Sequence, residues 1–304
     1  MLFSTLLASV ALSAFESCLA APSAMNRRTV TTLSTAQISS FAPFTQFARA
    51  AYCDGFKDWT CGAACDANAD FELTLAGGDD SDIQNCLCIV FFSPSLNSII
   101  VAHEGTDPLQ IESDLTDVEV LLGSLDTSLF PGVASSVQVH DGFRDEHAKT
   151  AKAILAEVET LLTSKNTKNV VAVGHSLGGA LAELDSLFMA LNLPSGTNIS
   201  AVTYGTPRVG NPAFASLIDQ HVPAFKHINN EKDLIPIVPG RFLGYAHPAG
   251  EIHIVSPGNV VACSGDDDAT DAQCTIDTVP NIFDGDILNH LGPYEGISIG
   301  TLAC

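Results

Sequence analysis

One short stretch constrains the fold of this chain more than any other. Residues 168–181 read K-N-V-V-A-V-G-H-S-L-G-G-A-L, and the run of β-formers from Val170 to Val173 predicts a buried strand. A helical spacing of apolar residues begins just beyond it, at Ala180. The G-x-S-x-G sequence between them, at a strand-to-helix turn, is typical of a sharp turn that exposes a nucleophilic serine. We therefore expect Ser176 to project from a tight turn at a helix N-terminus, where free N–H groups favour a developing anion.

The segments around this turn alternate between helical and extended patterns. Helices are predicted over residues 36–52, 143–162 and 212–220, and strands over residues 86–92, 98–102, 137–140, 198–204 and 224–228. This alternation predicts an α/β fold with a mostly parallel central sheet and helices on both faces. Because 304 residues suit one large domain, we expect a single catalytic domain over residues 29–304.

The first residues of the chain have the pattern of a targeting segment. Residues 1–20 are apolar, are interrupted by Glu16, and end in small residues, which predicts a signal peptide. Residues 21–28 end in Arg27-Arg28 and are either a short propeptide or a frayed, charged terminus. No later stretch has membrane-spanning length. We expect a secreted, extracellular protein without a transmembrane segment.

The cysteine count agrees with an oxidising compartment. One of nine cysteines lies in the predicted signal peptide, and the remaining even number favours disulfides. Two pairs could close short loops, Cys61 with Cys65 and Cys263 with Cys274. Zinc is the alternative, but the chain has no C-x-x-C pair.

The charge balance restricts the partners of this chain. Thirteen basic residues against 35 acidic ones give a net charge of −22, which argues against nucleic acid and anionic membranes and suits a neutral substrate. The acidic clusters at residues 79–82 and 266–268 lack calcium-loop spacing and are predicted to be solvated loops. No metal or cofactor site is predicted. Asn198 begins the glycosylation sequon N-I-S and is usable if it lies at the surface.

A serine nucleophile needs a base and an acid on later strand ends. Asp233 follows the strand predicted over residues 224–228 and has apolar residues behind it. Three histidines follow Asp233, of which His253 alternates within a strand pattern and His247 lies in a turn rich in glycine and proline. His290, flanked by apolar residues in a loop, is the predicted base.

An oxyanion hole requires two backbone N–H groups. One belongs to the residue after the nucleophile, Leu177, and the other to a loop after an early strand. Gly105-Thr106 fits the second position, because glycine permits close approach and the Thr106 hydroxyl could add a donor.

Several motifs together make the chain resemble a known family. They are V-A-H-E-G-T at 101–106, V-H-D-G-F at 139–143, G-H-S-L-G-G-A at 174–180, Y-G-T-P-R-V-G at 204–210 and N-E-K-D-L-I-P at 230–236. With the His290 loop, they resemble the fungal class 3 triacylglycerol lipases, α/β-hydrolases that include related feruloyl esterases.

This resemblance implies the roles of five residues. Ser176 would be the nucleophile, Asp233 the orienting acid and His290 the base, and the amides of Thr106 and Leu177 would hold the oxyanion. The implied activity is hydrolysis of acylglycerol esters without a cofactor. The implied partner is a neutral ester substrate, met at a lipid–water interface by a monomer.

The resemblance also implies three disulfides. The pairs are Cys53–Cys304, Cys61–Cys65 and Cys263–Cys274. Cys86 and Cys88 stay unassigned, because residues two apart in a strand point to the same side and are poor partners for each other.

Two departures from the family pattern concern the substrate. Glu104 stands where the family usually has Arg. An ion pair made by that Arg in the family is therefore absent from this chain or has its charges reversed. The lid segment, residues 108–114, offers only two large apolar side chains. A lid that buries little apolar area gains little by opening at an oil surface, so we expect weak interfacial activation. The candidate lid and substrate contacts are Leu109, Ile111, Leu234, Ile235 and Leu291.

Two other readings of the sequence stay open. Within the enzyme class, the chain could be a feruloyl or other carboxylic esterase, or a lipase restricted to mono- and diacylglycerols. From another class, it could be an inactive secreted binding protein on a hydrolase scaffold. That second reading predicts a broken triad or oxyanion loop, whereas every expected position is filled here.

Overall fold

The computed structural model describes residues 30–70, 72–77, 88–106, 121–267 and 271–304. The predicted signal peptide, propeptide and lid, together with Cys86 and the first acidic cluster, lie outside these residues. Within them, no helix combines the length and the apolar character needed to cross a bilayer.

The described residues form strands and helices close to the predicted positions. The strands are β1 Thr31–Thr32, β2 Glu72–Gly77, β3 Cys88–Ser93, β4 Ser98–His103, β5 Leu122–Ser124, β6 Gln138–His140, β7 Asn169–His175, β8 Asn198–Tyr204, β9 Phe225–Asn230, β10 Glu251–Ser256 and β11 Asn259–Ala262. The α-helices are α1 Thr35–Ser39, α2 Ala42–Ala50, α3 Ala63–Asp66, α4 Asp141–Ser164, α5 Leu177–Asn192, α6 Pro212–His221 and α7 Thr275–Thr278. Short 3-10 helices include Ile235–Ile237, Arg241–Leu243 and Ile287–Leu291.

One large sheet organises these elements. Its strand order is β1-β11-β10-β9-β8-β7-β4-β3-β2. The central strands β4, β7, β8, β9 and β10 run parallel to one another, and the strands at both edges pair antiparallel. The parallel centre confirms the predicted α/β architecture.

Strand alternation gives the sheet two apolar faces, because successive side chains point to opposite sides. On β4, Ile99 and Val101 join the core beneath helices α4, α5 and α6. Ile100 and Ala102 point the other way and join the core that includes α2. The sheet is therefore covered on both faces, and β3, β4 and β7 at its centre are largely buried and apolar.

Two helix boundaries differ from the prediction for local reasons. The segment predicted as one helix over residues 36–52 is divided, with α2 carrying Pro43 in its first turn. Helix α4 begins at Asp141, because the Nδ1 atom of His140 accepts hydrogen bonds from the amides of Gly142 and Phe143. Histidine is an unusual N-cap, so the sequence pattern did not reveal this start.

Three disulfides join cysteines within the part of the chain that the structure describes. They are Cys53–Cys304, Cys61–Cys65 and Cys263–Cys274, the pairs that the resemblance implies. Cys88 is buried in β3.

The acidic stretch at 266–268 contains a buried ion pair, so its prediction as a solvated loop is wrong for Asp267. The Asp267 carboxylate lies 2.9 Å from Nη2 and 3.0 Å from Nε of Arg208. Burial alone would raise the pKa of Asp267, but His247 and Arg208 outweigh it and lower that pKa. Arg208 is 59 residues away in sequence, which is why local pattern did not reveal the pair.

Helix α5 carries a fully buried acid, Glu183. Neither of its carboxyl oxygens has a hydrogen-bond partner among the described residues. Burial, with a smaller contribution from Asp219, raises the pKa of Glu183 well above its usual value. The folded protein therefore holds this acid protonated at pH values where the unfolded chain ionises it.

We expect Glu183→Gln to raise Tm at neutral pH. The raised pKa contributes stability that is complete below the ordinary glutamate value and is lost as pH rises above it. The variant should gain roughly 2–4 °C for each kcal/mol of ionisation cost removed, and its advantage should vanish near pH 4. Thermal melts of both proteins from pH 4 to 8 measure this. A difference in Tm that does not change with pH would contradict it.

Candidate active site

Ser176 occupies the turn between β7 and α5 in a strained backbone conformation. Its φ of 57° and ψ of −127° are unusual for a residue with a side chain. The Ser176 amide donates to the carbonyl of Tyr204 at 3.0 Å, which fixes the turn to the neighbouring strand. The serine therefore stands at the N-terminus of a 16-residue helix, as the sequence predicts.

Close backbone contacts explain the glycines around this turn. A Cβ atom added to Gly174 would lie 2.1 Å from the carbonyl oxygen of Gly178. One added to Gly178 would lie 2.5 Å from the carbonyl oxygens of both His103 and Glu104. The turn and the end of β4 thus pack backbone to backbone, and any larger residue would push them apart.

Asp233 and His290 meet at the end of the parallel strands. Nδ1 of His290 donates to Oδ2 of Asp233 at 2.9 Å, and both side chains are buried. The amide of Ile235 donates to the other oxygen, Oδ1, at 2.9 Å. The carboxylate is therefore held from two sides and fixes the proton of His290 on Nδ1.

The Nε2 atom of His290 is consequently the one left to accept a proton. It is buried and has no hydrogen-bond partner among the described residues, so it makes no hydrogen bond with Ser176 in this structure. Such bonds are often long without substrate and tighten when it binds.

His175 packs against His290 of the Asp233–His290 pair. Its ring lies 4.3 Å from that of His290, centroid to centroid, and its Nε2 donates to the His290 carbonyl oxygen at 2.8 Å. Burial, followed by the neighbouring His290, lowers the pKa of His175 well below its usual value. His175 is thus neutral, and its Nδ1 accepts a hydrogen bond from the Tyr52 hydroxyl at 2.8 Å. His175 thus packs beneath the His290 ring as a neutral, fully hydrogen-bonded side chain.

Tyr294 is a second buried support. Its hydroxyl lies 3.0 Å from the His290 carbonyl oxygen and 3.5 Å from Oδ2 of Asp233. Burial, with the charge of Asp233 as the next cause, raises the pKa of Tyr294 well above its usual value. The hydroxyl therefore keeps its proton and acts as a donor.

Gly205 leaves the space that the Asp233–His290 pair occupies. It has a φ of +51°, and an added Cβ would lie 2.7 Å from Nδ1 of His290 and 2.8 Å from Oδ2 of Asp233. Only glycine fits this position, for both conformational and steric reasons.

A cavity of about 920 Å³ opens beside Ser176. The predicted oxyanion residues Thr106 and Leu177 line it together with the serine. Its walls are largely apolar and include Phe143, Ile235, Ile237, Phe242, Ile276 and Val279. Among the candidate substrate contacts, Ile235 lines the cavity, whereas Leu234 and Leu291 are not among its described lining residues. Leu109 and Ile111 lie outside the described residues.

The rim of this cavity exposes large apolar side chains. Phe242 is 90% exposed and Leu243 is 45% exposed on one side. Ile282 also lines the cavity, and the next residue, Phe283, is 91% exposed. Exposed apolar residues grouped in this way mark an interaction surface more often than singly scattered ones do.

A group of possible metal ligands, Glu251, Cys263 and Cys274, occurs elsewhere in the described part of the chain. The two sulfur atoms are joined to each other in a disulfide. The group therefore does not fit a metal ion.

Comparison with known proteins places the chain in a family. The sequence model described as Lipase (class 3) matches residues 100–243. A secreted mono- and diacylglycerol lipase of Malassezia globosa is 32% identical over 219 residues, which are 71% of this chain and 69% of that protein. The chain belongs to the class 3 lipase family.

The chain spans a smaller share of some other relatives. A secreted mono- and diacylglycerol lipase of Malassezia restricta is 34% identical over 191 residues, or 62% of this chain and 59% of the relative. The chain therefore covers less than two thirds of that relative.

Solved structures share its α/β-hydrolase fold. The native Rhizomucor miehei lipase propeptide complex superposes with a TM-score of 0.78 at 26% identity, covering 92% of this chain and 87% of that one. Lipase II from Rhizopus niveus gives a TM-score of 0.77 at 28% identity, covering 90% and 99%. The predicted fold class is confirmed.

Sequence reasoning missed three residues of the class 3 lipase-type site: Tyr52, Gly205 and Tyr294. Gly205 stood inside the quoted Y-G-T-P-R-V-G motif, so its position carried a signal. Tyr52 lies 123 residues before His175, and Tyr294 lies four residues after His290. Nothing in the local sequence around either tyrosine indicates its role.

Glu104, which departs from the family pattern, is half-buried, and its carbonyl oxygen packs against Gly178.

We expect Asp233→Asn to lower kcat by on the order of 10⁴ while the protein stays folded. The amide cannot hold the His290 proton on Nδ1 as the carboxylate does. Hydrolysis of p-nitrophenyl butyrate, with a thermal melt of each protein, measures the effect. Near-normal activity would remove Asp233 from the triad.

Gly205→Ala should lower kcat by at least about 100-fold, because the new methyl group displaces the acid, the base or both and small misplacements are costly. Gly196→Ala is the matched control. Gly196 also has a positive φ, of +90°, but an added Cβ there meets no atom within 4 Å. Equal losses of activity in the two variants would show that backbone strain, and not the crowding of His290, is responsible.

Proposed function

We propose that this protein is a secreted serine hydrolase that cleaves the carboxylic esters of acylglycerols. One observation carries the proposal: Ser176, strained on its turn, opens into an apolar cavity of about 920 Å³. A fatty acyl chain is the ester component that such walls would stabilise by burial. Membership of the class 3 lipase family supports the same activity.

In the proposed mechanism, Nε2 of His290 takes the proton of Ser176 and Oγ attacks the ester carbonyl carbon. The C–O bond to the alcohol then breaks, and the alcohol leaves with the proton returned by His290. Asp233 stabilises the imidazolium that forms in between. Water repeats the sequence on the acyl-enzyme and releases the fatty acid.

The negative charge that develops on the carbonyl oxygen would be held by the amides of Thr106 and Leu177. Both residues line the cavity beside the serine. The Leu177 amide is the first of α5, so the helix dipole adds to its effect.

The substrate class rests on both the cavity and the relatives. Proteins from Malassezia that resemble this chain are described as mono- and diacylglycerol lipases, and those from Rhizomucor and Rhizopus as lipases. We propose acylglycerols as the substrates. Assays with triolein and monoolein show whether only the smaller acylglycerols are hydrolysed, and an assay with methyl ferulate shows whether feruloyl esters are also substrates.

We propose that the exposed rim of Phe242, Leu243, Ile282 and Phe283 contacts a lipid–water interface while the cavity takes up one ester. The three disulfides and the description of the Malassezia relatives as secreted support an extracellular location. Residues 29–304 are proposed to form one monomeric catalytic domain. Asn198 is exposed at the start of β8, where a glycan could be attached.

Weak interfacial activation stays a prediction, since the lid lies outside the described residues. The rate on tributyrin should rise smoothly as its concentration crosses the solubility limit. A sharp jump at that limit would refute it.

The rim itself is tested by Phe283→Ser. Losing one exposed aromatic ring should lower the ratio of activity on emulsified tributyrin to activity on soluble p-nitrophenyl butyrate. Leu302→Ser, at another exposed apolar residue (78% exposed), is the matched control and should leave that ratio unchanged. An equal fall in both variants would contradict a role for the rim.

The proposed function is tested on a panel of triolein, tributyrin, monoolein and methyl ferulate, with wild type and Ser176→Ala. We expect wild type to hydrolyse acylglycerols and Ser176→Ala to lose that activity. Labelling of Ser176 by a fluorophosphonate supports an active nucleophile. A wild-type protein that is neither labelled nor active would favour the inactive binding protein.

A further inference from the structure

A second group of acid and histidine side chains lies buried beneath the active site. Nε2 of His103 is 2.6 Å from Oδ2 of Asp185, and Nε2 of His147 is 2.9 Å from Oδ1 of the same carboxylate. All three side chains are at most 2% exposed. None of them has a part in the proposed chemistry of Ser176, Asp233 and His290.

The carboxylate of this group is ionised. Burial alone would raise the pKa of Asp185, but His147 and His103 outweigh burial and lower it to about 2. Nδ1 of His147 is buried and has no hydrogen-bond partner among the described residues, which favours the proton on Nε2. Each histidine thus donates to one carboxylate oxygen, and charge-assisted bonds of this kind are about twice as strong as neutral ones.

The group joins three elements that surround the oxyanion hole. His103 is the last residue of β4, the strand that leads into Gly105-Thr106. Asp185 lies on α5, whose first residue is Leu177. His147 lies on α4, whose first turns supply Gly142, Phe143 and Glu146 to the cavity wall.

Two contacts along α5 hold the end of β4 against this helix. Gly178 and Asp185 are seven residues apart and therefore share one face of the helix. Gly178 packs against the carbonyl oxygens of His103 and Glu104. The same strand end is thus held by a backbone contact near the start of α5 and by a side-chain bond two turns further along.

We propose that His103, Asp185 and His147 form a positioning network that sets the separation of the two oxyanion donors, the amides of Thr106 and Leu177. One donor follows His103 by three residues, and the other lies on the helix that carries Asp185. Fixing β4 against α5 therefore fixes the width of the hole. This inference rests on the proposed esterase function and adds to it a set of residues that never touch the substrate.

The first test compares the same chemical change at two positions of α5. Asp185→Asn removes the charge that both histidines bind, whereas Glu183→Gln changes an equally buried acid two residues away. With p-nitrophenyl butyrate, Asp185→Asn should lower kcat by about 10- to 100-fold, since a displaced donor loses part of the 10²–10³ that one donor supplies. Its KM should stay within about twofold, and Glu183→Gln should keep the wild-type kcat.

The second test restores the bond by a different residue. His103→Leu removes the donor and should lower kcat as Asp185→Asn does, whereas His103→Gln places an amide N–H near the same position and should recover most of the activity. The Ki of an alkyl trifluoromethyl ketone, which forms a tetrahedral oxyanion with the active serine, should rise in parallel with the fall in kcat.

Every rate is expressed per active site, counted by complete fluorophosphonate labelling, so that unfolded protein does not contribute. An unchanged kcat and Ki in Asp185→Asn or His103→Leu would overturn the inference. So would a change in KM alone, or an equal loss in Glu183→Gln. A wild-type protein without esterase activity would instead overturn the proposed function, which keeps the two failures distinct.

Discussion

Direct packing of backbone on backbone around Ser176 is the constraint on which the rest of the structure depends. Gly178 rests on the carbonyl oxygens that end β4, and Gly174 rests on Gly178. Because no side chain separates these segments, the serine, its helix and the Gly105 loop occupy one fixed arrangement. The positive φ of Ser176 is tolerated because the surrounding contacts over-determine it.

Several buried polar groups around the site have hydrogen-bond partners that fix their protonation. The hydroxyls of Tyr52 and Tyr294 donate hydrogen bonds, His175 is neutral, and the Asp185 carboxylate is ionised between two histidines. Buried hydrogen bonds of this kind help to specify a single arrangement of the side chains that make them. Hydrogen bonds between buried side chains thus support the candidate active site, and an apolar cavity opens beside Ser176.

The sequence was sufficient for what depends on local pattern. The fold was predicted from the apolar strand before Ser176, the amphipathic helices and the order of the motifs. The same pattern predicted that Asp233 and His290 lie near each other at the carboxyl ends of the parallel strands. The sequence was insufficient where partners lie far apart in the chain. Asp267 with Arg208, and His103 with Asp185, are separated by 59 and 82 residues, and no periodicity relates them. The cavity and its exposed rim likewise arise only when several loops converge.

The Cys53–Cys304 disulfide, which spans 251 residues of sequence, has a mechanical consequence. It closes a covalent ring that contains Ser176, Asp233, His290 and every described strand of the large sheet except β1. A pull applied between residue 30 and residue 304 is carried through the bridge and loads only the segment that precedes Cys53. Ser176, Asp233 and His290 lie outside this covalent path, so tension between residues 30 and 304 would detach β1 and the first helices before it reached them.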